Sequence, residues 1–448
     1  MNGTKDLTKG SVGRELFALA APIMATTFIS LAYNLTDVAW LGHWSTDAVA
    51  ATGAAGMVMW LFLAIGTMTR VGAEVAVGMR LGQKDKMAAK EMASQDITLA
   101  GIISIVVTAV VMIWADGFIK LFDVSPSIVV QATTYMRIFM SASPALLISM
   151  ACSGIFNAAG RTKITFYING LGLLVNMSLD PLFIYGFKMG IAGAALASWI
   201  AAVTVLVAFI YELKVKSRLF DDFHFIVKPV WNKMLTIAKI GAPVASFNIV
   251  FAILGFVITG MASREGGAVG LLAYTTGGDI EAICWNTAQG MSEALSAFVA
   301  QNFGAGRMDR VKKSYNVAML FCLSIGLFCT VLFVGFGEDI FRIFVPDVKA
   351  YTVGAEYMRI DGYSMVFMML EIVHQGMFYG TNRSMIPAGI SIVGNILRIP
   401  IALLLISFGM GLSAIWWAIC TSSISKGAVS TLWYQISTKR IKYKNIAL

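Results

Sequence analysis

Tyr135-Met136-Arg137-Ile138 recurs as Tyr357-Met358-Arg359-Ile360, an offset of 222 residues in a chain of 448. Working outward, Gly154-Ile155-Phe156 followed by Arg161 recurs as Gly376-Met377-Phe378 followed by Arg383, and Phe118 to Phe122 matches Ile340 to Phe344. The Leu81-Gly82 turn matches Phe303-Gly304. With small drift, Ala21-Pro22-Ile23 matches Ala242-Pro243-Val244, and Phe187 to Gly190 matches Phe408 to Gly411. An offset of half the chain predicts two homologous lobes; a solenoid would repeat roughly every 20–50 residues.

Hydrophobic residues make up 58% of the chain and charged residues 13%, against roughly 25% charged in an average soluble domain. With apolar runs such as 98–114 and 314–337, this predicts an all-α integral membrane protein, since about 20 apolar residues in a helix cross the hydrocarbon. The alternation of a membrane barrel is missing. Twelve spans are expected near 16–41, 48–78, 95–115, 130–158, 164–186, 190–212, 235–261, 268–302, 315–336, 354–380, 386–407 and 411–436. Residues 1–212 then form one six-helix lobe, 213–234 a polar linker and 235–448 the second lobe. Six spans per repeat insert both lobes in the same direction, a parallel repeat about the membrane normal.

Arg80, Lys84, Lys86, Lys90, Arg161, Lys163, Lys214, Lys216, Arg218, Lys228, Lys233, Arg307, Arg310, Lys312, Lys313 and Arg383 fall in alternate loops. The intervening loops carry only Lys120, Lys188, Arg264, Arg342 and Lys349. The positive-inside rule places the first group and both termini in the cytoplasm. The net charge of +9 is therefore a topology signal, with no nucleic-acid partner implied. The tail Lys439-Arg440-Ile441-Lys442-Tyr443-Lys444 reads as the basic end of the last span, with contact to anionic lipid as the second reading. Residues 1–15 are polar and run into a full span, so no cleaved signal is expected.

No G-x-x-x-x-G-K-[ST] loop is present, so ATP is not expected to drive any work, and a gradient must. His43, His224 and His374 do not cluster, and no G-x-S-x-G elbow occurs, so an enzyme is not expected. Cys152, Cys284, Cys322, Cys329 and Cys420 lie in apolar runs and read as small buried hydrophobes. The 26 Met and 28 Phe suit a cavity for flat or cationic molecules, although most of them must face lipid or neighbouring helices.

Ionisable groups inside spans cost at least roughly 2.5–3.5 kcal/mol each and so mark candidate sites. The first lobe holds Asp37 and Asp180, with Asn176 one helical turn before Asp180 and on its face. Asn157 and Tyr33 can join the same pocket. Oxygen ligands with two carboxylates suit Na+ at Asp37, Asn176 and Asp180, and equally a shared proton. The plainer alternative is that the two acids pin helices. At the repeat offset Asp180 falls on Ala402 and Asp37 near Ile258, so only the first lobe has this pair. Aligned on Pro181 and Pro400 instead, Asn176 meets Asn395. In the second lobe Asp279, Glu281, Glu293, Asp361, Glu371 and His374 are candidates. Glu371 and His374, three apart, predict a second proton or substrate site, or else Glu371 ties to Arg398 or another cation. Arg70 and Glu74 read as a self-neutralising pair.

The segments Ala21-Pro22-Ile23, Tyr33-Asn34-Leu35-Thr36-Asp37, Arg80-Leu81-Gly82, Gly154 to Arg161, Gln301 to Gly306 and Gly376 to Gly380 together closely resemble the multidrug and toxic compound extrusion (MATE) family. The resemblance covers essentially the whole chain. It implies a V-shaped pair of six-helix bundles around a central cavity. It also implies export of drugs and other amphipathic, often cationic, compounds in exchange for Na+ or H+ by alternating access, across the inner membrane and with no cofactor. In the branch with a first-lobe ion site, the family positions correspond to Asp37, Asn157, Asn176 and Asp180, with Ser198 as the sixth-span hydroxyl. Tyr33, Asn34, Glu281, Glu371 and His374 are the expected cavity residues and Pro22 the hinge. One departure stands out: many members read Arg-Ile-Glu in the eighth span, where this chain has Asp279-Ile280-Glu281, which favours cationic cargo. The competing readings are a lipid-linked precursor flippase and a passive channel or non-transporting sensor. An acidic first lobe suits a pyrophosphate poorly.

Overall fold

The computed structural model describes residues 3–122, 124–216 and 219–440, apart from the side chains of 34, 35 and 438–440. Arg218 and the tail from Ile441 onward therefore lie outside the described residues, as do the side chains of Asn34, Lys439 and Arg440.

Among the described residues there are thirteen α-helices and no strand. In the first repeat these are α1 (Val12–Trp44), α2 (Thr46–Gly82), α3 (Lys86–Lys120), α4 (Pro126–Met140), α5 (Ser143–Ala158), α6 (Thr162–Pro181) and α7 (Ile191–Tyr211). The second comprises α8 (Trp231–Gly304), α9 (Met308–Phe344), α10 (Val348–Gly362), α11 (Met365–Gly380), α12 (Met385–Ser407) and α13 (Ser413–Arg440). Helix α8 holds two spans, parted at Gly267 by a left-handed φ of 59° that ends one helix and starts the next. Helices α4 and α5 form one span bent by 50°, with Pro144 in the first turn of α5, where its missing N–H costs nothing. Counted with α10–α11 as one span, this gives twelve, six per repeat, as the sequence predicts.

The duplication is written in the helix ends themselves. Helices α4 and α5 run 126–140 and 143–158, and α10 and α11 run 348–362 and 365–380, which is the 222-residue offset at all four ends. The left-handed turns repeat as well: Gly160 (φ 72°) answers to Asn382 (φ 58°), and Lys84 (φ 62°) to Gly306 (φ 70°). The close approaches repeat too. A Cβ on Gly154 would collide with the Arg70 carbonyl, and one on Gly376 with the Ser292 carbonyl, so the same helix crossing is built twice.

Several helices outrun their predicted spans. Helix α2 continues to Gly82 and α3 begins at Lys86, where Asp85 caps it by accepting from the Ala88 N–H at 2.9 Å. Hydropathy marks only the part in lipid, whereas helical hydrogen bonding continues into the polar turns.

By contacts the chain divides into two compact units. The first comprises Met1–Ala245 with Ala300–Arg307; the second comprises Ser246–Val299 with Met308–Leu448. In the first, the segment after α7 lies along α3: Gln95 accepts from Val230 N–H (2.9 Å) and donates to the Lys228 carbonyl (2.9 Å). Leu219, Phe220 and Phe223 of that segment are buried.

Candidate functional site

The first unit brings Asp37, Asn176, Asp180 and Ser198 together. Asp180 is the next-to-last residue of α6, immediately before Pro181, and the chain then widens into a π-helical turn, Leu182–Gly186. Proline removes a helical donor and π turns gather at functional positions, so the backbone here is already released from regular pairing. Tyr185 on that turn donates to the Trp40 carbonyl at 2.6 Å, which ties it to α1 three residues beyond Asp37. The Tyr185 ring also packs edge-on against Trp40 and Trp44.

Within this frame the Asn176 amide donates to Asp180 Oδ1 (3.3 Å) and to Ser198 Oγ (3.3 Å), and Ser198 Oγ donates to Asp37 Oδ2 (3.3 Å). The two carboxyls lie in each other's field. Asn176, Asp180 and Ser198 are fully buried, and Asp37 is 8% exposed. Asp37 Oδ1, Asn176 Oδ1 and Asp180 Oδ2 have no hydrogen-bond partner among the described residues. One oxygen on each of three linked residues is thus left for something positively charged. Burying two carboxylates without a cation or a proton is prohibitive, so the donor set fits either one. Tyr33, on α1 one turn before Asp37, lies in the field of both acids.

Asn157 is placed elsewhere. Its amide donates to Glu74 Oε2 at 3.5 Å. Pro22 lies inside α1, and its carbonyl accepts from the Thr26 hydroxyl at 2.9 Å. In the second unit Glu371 and His374 share a helix but not a partner. Glu371 pairs with Lys426 of α13 at 3.0 Å and accepts from Ser391 (2.5 Å) and Gln375 (3.4 Å). Arg398 turns instead to Ser422 and Ser423. His374 donates through Nδ1 to the Leu370 carbonyl and meets the Tyr315 hydroxyl through Nε2 at 3.0 Å. Glu281 accepts from Tyr357 Oη at 3.0 Å.

Three features escape sequence reasoning. Lys426 interrupts the last span among small residues, where a count of charges inside spans finds it. Asp96 falls at the edge of a predicted span, is fully buried, and has no partner on either oxygen among the described residues. Cys284 and Cys329 bring their sulfurs to 3.0 Å, with nothing in a 45-residue separation to announce it.

Twelve spans in a duplicated helical membrane protein, with a buried acid pair placed in one repeat, define a membrane transporter. The chain belongs to the MatE family, whose profile matches residues 22–182 and again 243–404. Among curated relatives, it is 24% identical over 434 residues to the probable multidrug resistance protein NorM of Thermotoga maritima, covering 94% of this chain and 92% of that one. It is 20% identical over 416 residues to the multidrug export protein MepA of Staphylococcus aureus, covering 92% and 91%. Its fold superposes on a crystal structure of MATE in complex with MaD3S with a TM-score of 0.92 at 21% identity, over 99% of this chain and 100% of that one.

Proposed function

We propose that this protein is a secondary active multidrug exporter that exchanges amphipathic, cationic organic compounds for Na+ or H+ by alternating access across the inner membrane, with both termini cytoplasmic. The observation that carries the reading is the set of three unpartnered oxygens on Asp37, Asn176 and Asp180, buried and joined to one another through Ser198. An ion entering there removes the repulsion between the acids and favours the arrangement in which α1 and α6 close on each other. An arrangement that holds drug and parts the acids is favoured when the ion leaves. Ion and substrate are then linked through their differential affinity for the two states, with no contact between them required. Tyr33, partly buried on α1 one turn before Asp37, is the cavity residue that couples substrate to the site. Pro22, whose position in α1 lacks a backbone donor, is the point about which α1 bends. The names of the relatives, multidrug resistance and export proteins, support the substrate class.

The test is efflux of a fluorescent organic cation from proteoliposomes with Na+ and proton gradients imposed separately. Export driven by one gradient, and lost in Asp37→Asn, is the expected result. Efflux that ignores both gradients would overturn the reading.

A further inference from the structure

Cys284, on the second half of α8, and Cys329, on α9, bring their sulfurs to 3.0 Å within the second unit. The backbone accounts for the meeting. Cys284 lies between Ile280 and Ala288 at helical spacing, and both of these are buried, so the three share one inward face of α8. On α9, Cys322, Gly326, Cys329 and Phe333 form one buried stripe. Gly326 lets that stripe lie close against α11, since a Cβ there would collide with Met369 and Val366. Beside Cys329 the Thr330 hydroxyl donates to the Gly362 carbonyl at 2.9 Å, which pins α9 at this level. Cys329 is 4% exposed, and Cys284 is partly exposed.

Packing does not require sulfur here. At the repeat offset Cys284 and Cys329 fall on Phe62 and Val107; Val107 lies in an apolar core of the first unit and Phe62 packs against it. The same crossing thus closes once already with ordinary hydrophobic side chains. Nor is the pair half of a zinc site, which takes four ligands. Among the described residues no group of three or more His, Cys, Asp or Glu is placed to hold a metal ion. What two touching thiols can do by themselves is give up two electrons and join. A disulfide holds its sulfurs at about 2.05 Å, so about 1 Å of further approach is enough, and small rotations of the two side chains supply it.

Depth selects the oxidant. Cys284 lies seventeen residues beyond Gly267, and Cys329 fifteen before the end of α9. At 1.5 Å per residue these are about 22–26 Å along the spans, within the hydrocarbon. Charged oxidants stay out of that layer, whereas hydrogen peroxide, small and uncharged, enters it.

We propose that Cys284 and Cys329 are a thiol pair oxidised by peroxide, a modification site at which a disulfide ties α8 to α9. Cys284, the more exposed, reacts first. Its sulfur attacks one peroxide oxygen: an S–O bond forms, the O–O bond breaks, and the departing hydroxide takes the thiol proton to leave as water. The Cys329 sulfur, already in contact, then attacks the Cys284 sulfur. The S–S bond forms, the S–O bond breaks, and the second hydroxide leaves as water with the Cys329 proton. Two thiols lose two electrons in all, and one peroxide is reduced to two waters. Cys322, seven residues before Cys329 and about 10 Å from it along the helix, is wholly buried, as are Cys152 and Cys420, so these three are internal controls.

The test is a thiol count on the full chain in lipid nanodiscs, first reduced, then exposed to hydrogen peroxide, denatured, labelled with N-ethylmaleimide and mapped by peptide mass. The count should fall by two from the five free thiols, with one linked peptide pair, Cys284 to Cys329, that dithiothreitol separates. Five thiols still countable, or a loss confined to Cys152, Cys322 and Cys420, overturns the proposal. In Cys329→Ser the reaction should stop one step early, with Cys284 trapped by dimedone as the sulfenic acid. Dimedone on another cysteine and none on Cys284 would overturn the assigned order. Cys284→Ser should lose no thiol, and a loss of two in that variant counts against the pair. None of these readings uses transport, so failure of gradient-driven efflux would sink the exporter reading and leave this result standing.

Discussion

Lys426 and Glu371 meet at 3.0 Å between α13 and α11, each under a tenth exposed, with Ser391 and Gln375 completing the carboxylate's hydrogen bonds. Gly394 makes room for the lysine stem, since a Cβ there would collide with it. A buried pair of this kind is worth little against an apolar substitute of the same volume, yet breaking it is expensive, because one charge is left alone.

Lys426→Met should therefore destabilise the protein by about 3–5 kcal/mol, whereas Lys426→Met combined with Glu371→Met should recover most of that loss. Thermal unfolding in a mild detergent measures both. If the double variant is as unstable as the single one, the pair is not a structural tie of this kind, and the substrate-site reading of Glu371 gains.

Ser198 is the hinge of the first-unit network, joining Asn176 to Asp37. Ser198→Ala removes one hydrogen bond to a carboxylate and should weaken apparent affinity for the coupling ion by about three- to tenfold, at roughly 1 kcal/mol per bond. Asp37→Asn should abolish ion-driven efflux altogether. The ion concentration at half-maximal efflux separates these outcomes; an unchanged value in Ser198→Ala would remove the hydroxyl from the site.

Helix crossings at Gly154 and Gly376 predict matched effects. Gly154→Ala and Gly376→Ala each press a methyl against a backbone carbonyl, and each should cost about 1–3 kcal/mol as the helices part. Gly53, with open space around its would-be Cβ, is the control. Gly53→Ala should stabilise by about 0.5–1 kcal/mol through helix propensity. Stability series in which all three variants lose equally would contradict the crossing geometry.

The fold was legible because duplication and hydropathy are properties of the chain in order. The candidate site was legible in part: Asp37, Asn176 and Asp180 stand out as polar residues where lipid-facing helices should be apolar, and a four-residue spacing fixes a shared face for the last two. What could not be read was pairing across distance. That Asn157 goes to Glu74, that Glu371 takes Lys426 and not Arg398, and that Cys284 finds Cys329 all depend on which helices adjoin and at what rotation. Periodicity within one helix carries neither. Asp96 was lost for another reason: it is the second residue of the predicted span 95–115, and a charge in the first turn of a span is expected to reach the headgroups and water, which raises no question about its burial.

The N-terminal segment supplies a last prediction. Gln301, near the end of α8, accepts from the Leu7 N–H at 3.0 Å through Oε1 and donates through Nε2 to the carbonyls of Ala158 (2.5 Å) and Lys5 (3.3 Å). Asn302 adds a bond to the Leu7 carbonyl at 3.2 Å, and the Leu7 side chain is wholly buried. One amide thus satisfies two backbone groups of the N-terminal segment and the last carbonyl of α5, and its loss strands them at about 1–3 kcal/mol in total. Gln301→Ala should free residues 3–8 from the turn after α5 and speed proteolysis there by about fivefold or more, since cleavage follows the population of the opened segment. Gln301→Glu keeps the acceptor for Leu7 but loses both donated bonds, and should fall between. Cleavage at the wild-type rate in both variants would mean that Leu7 burial alone holds the segment, and the amide's bonds would then be accessory to it.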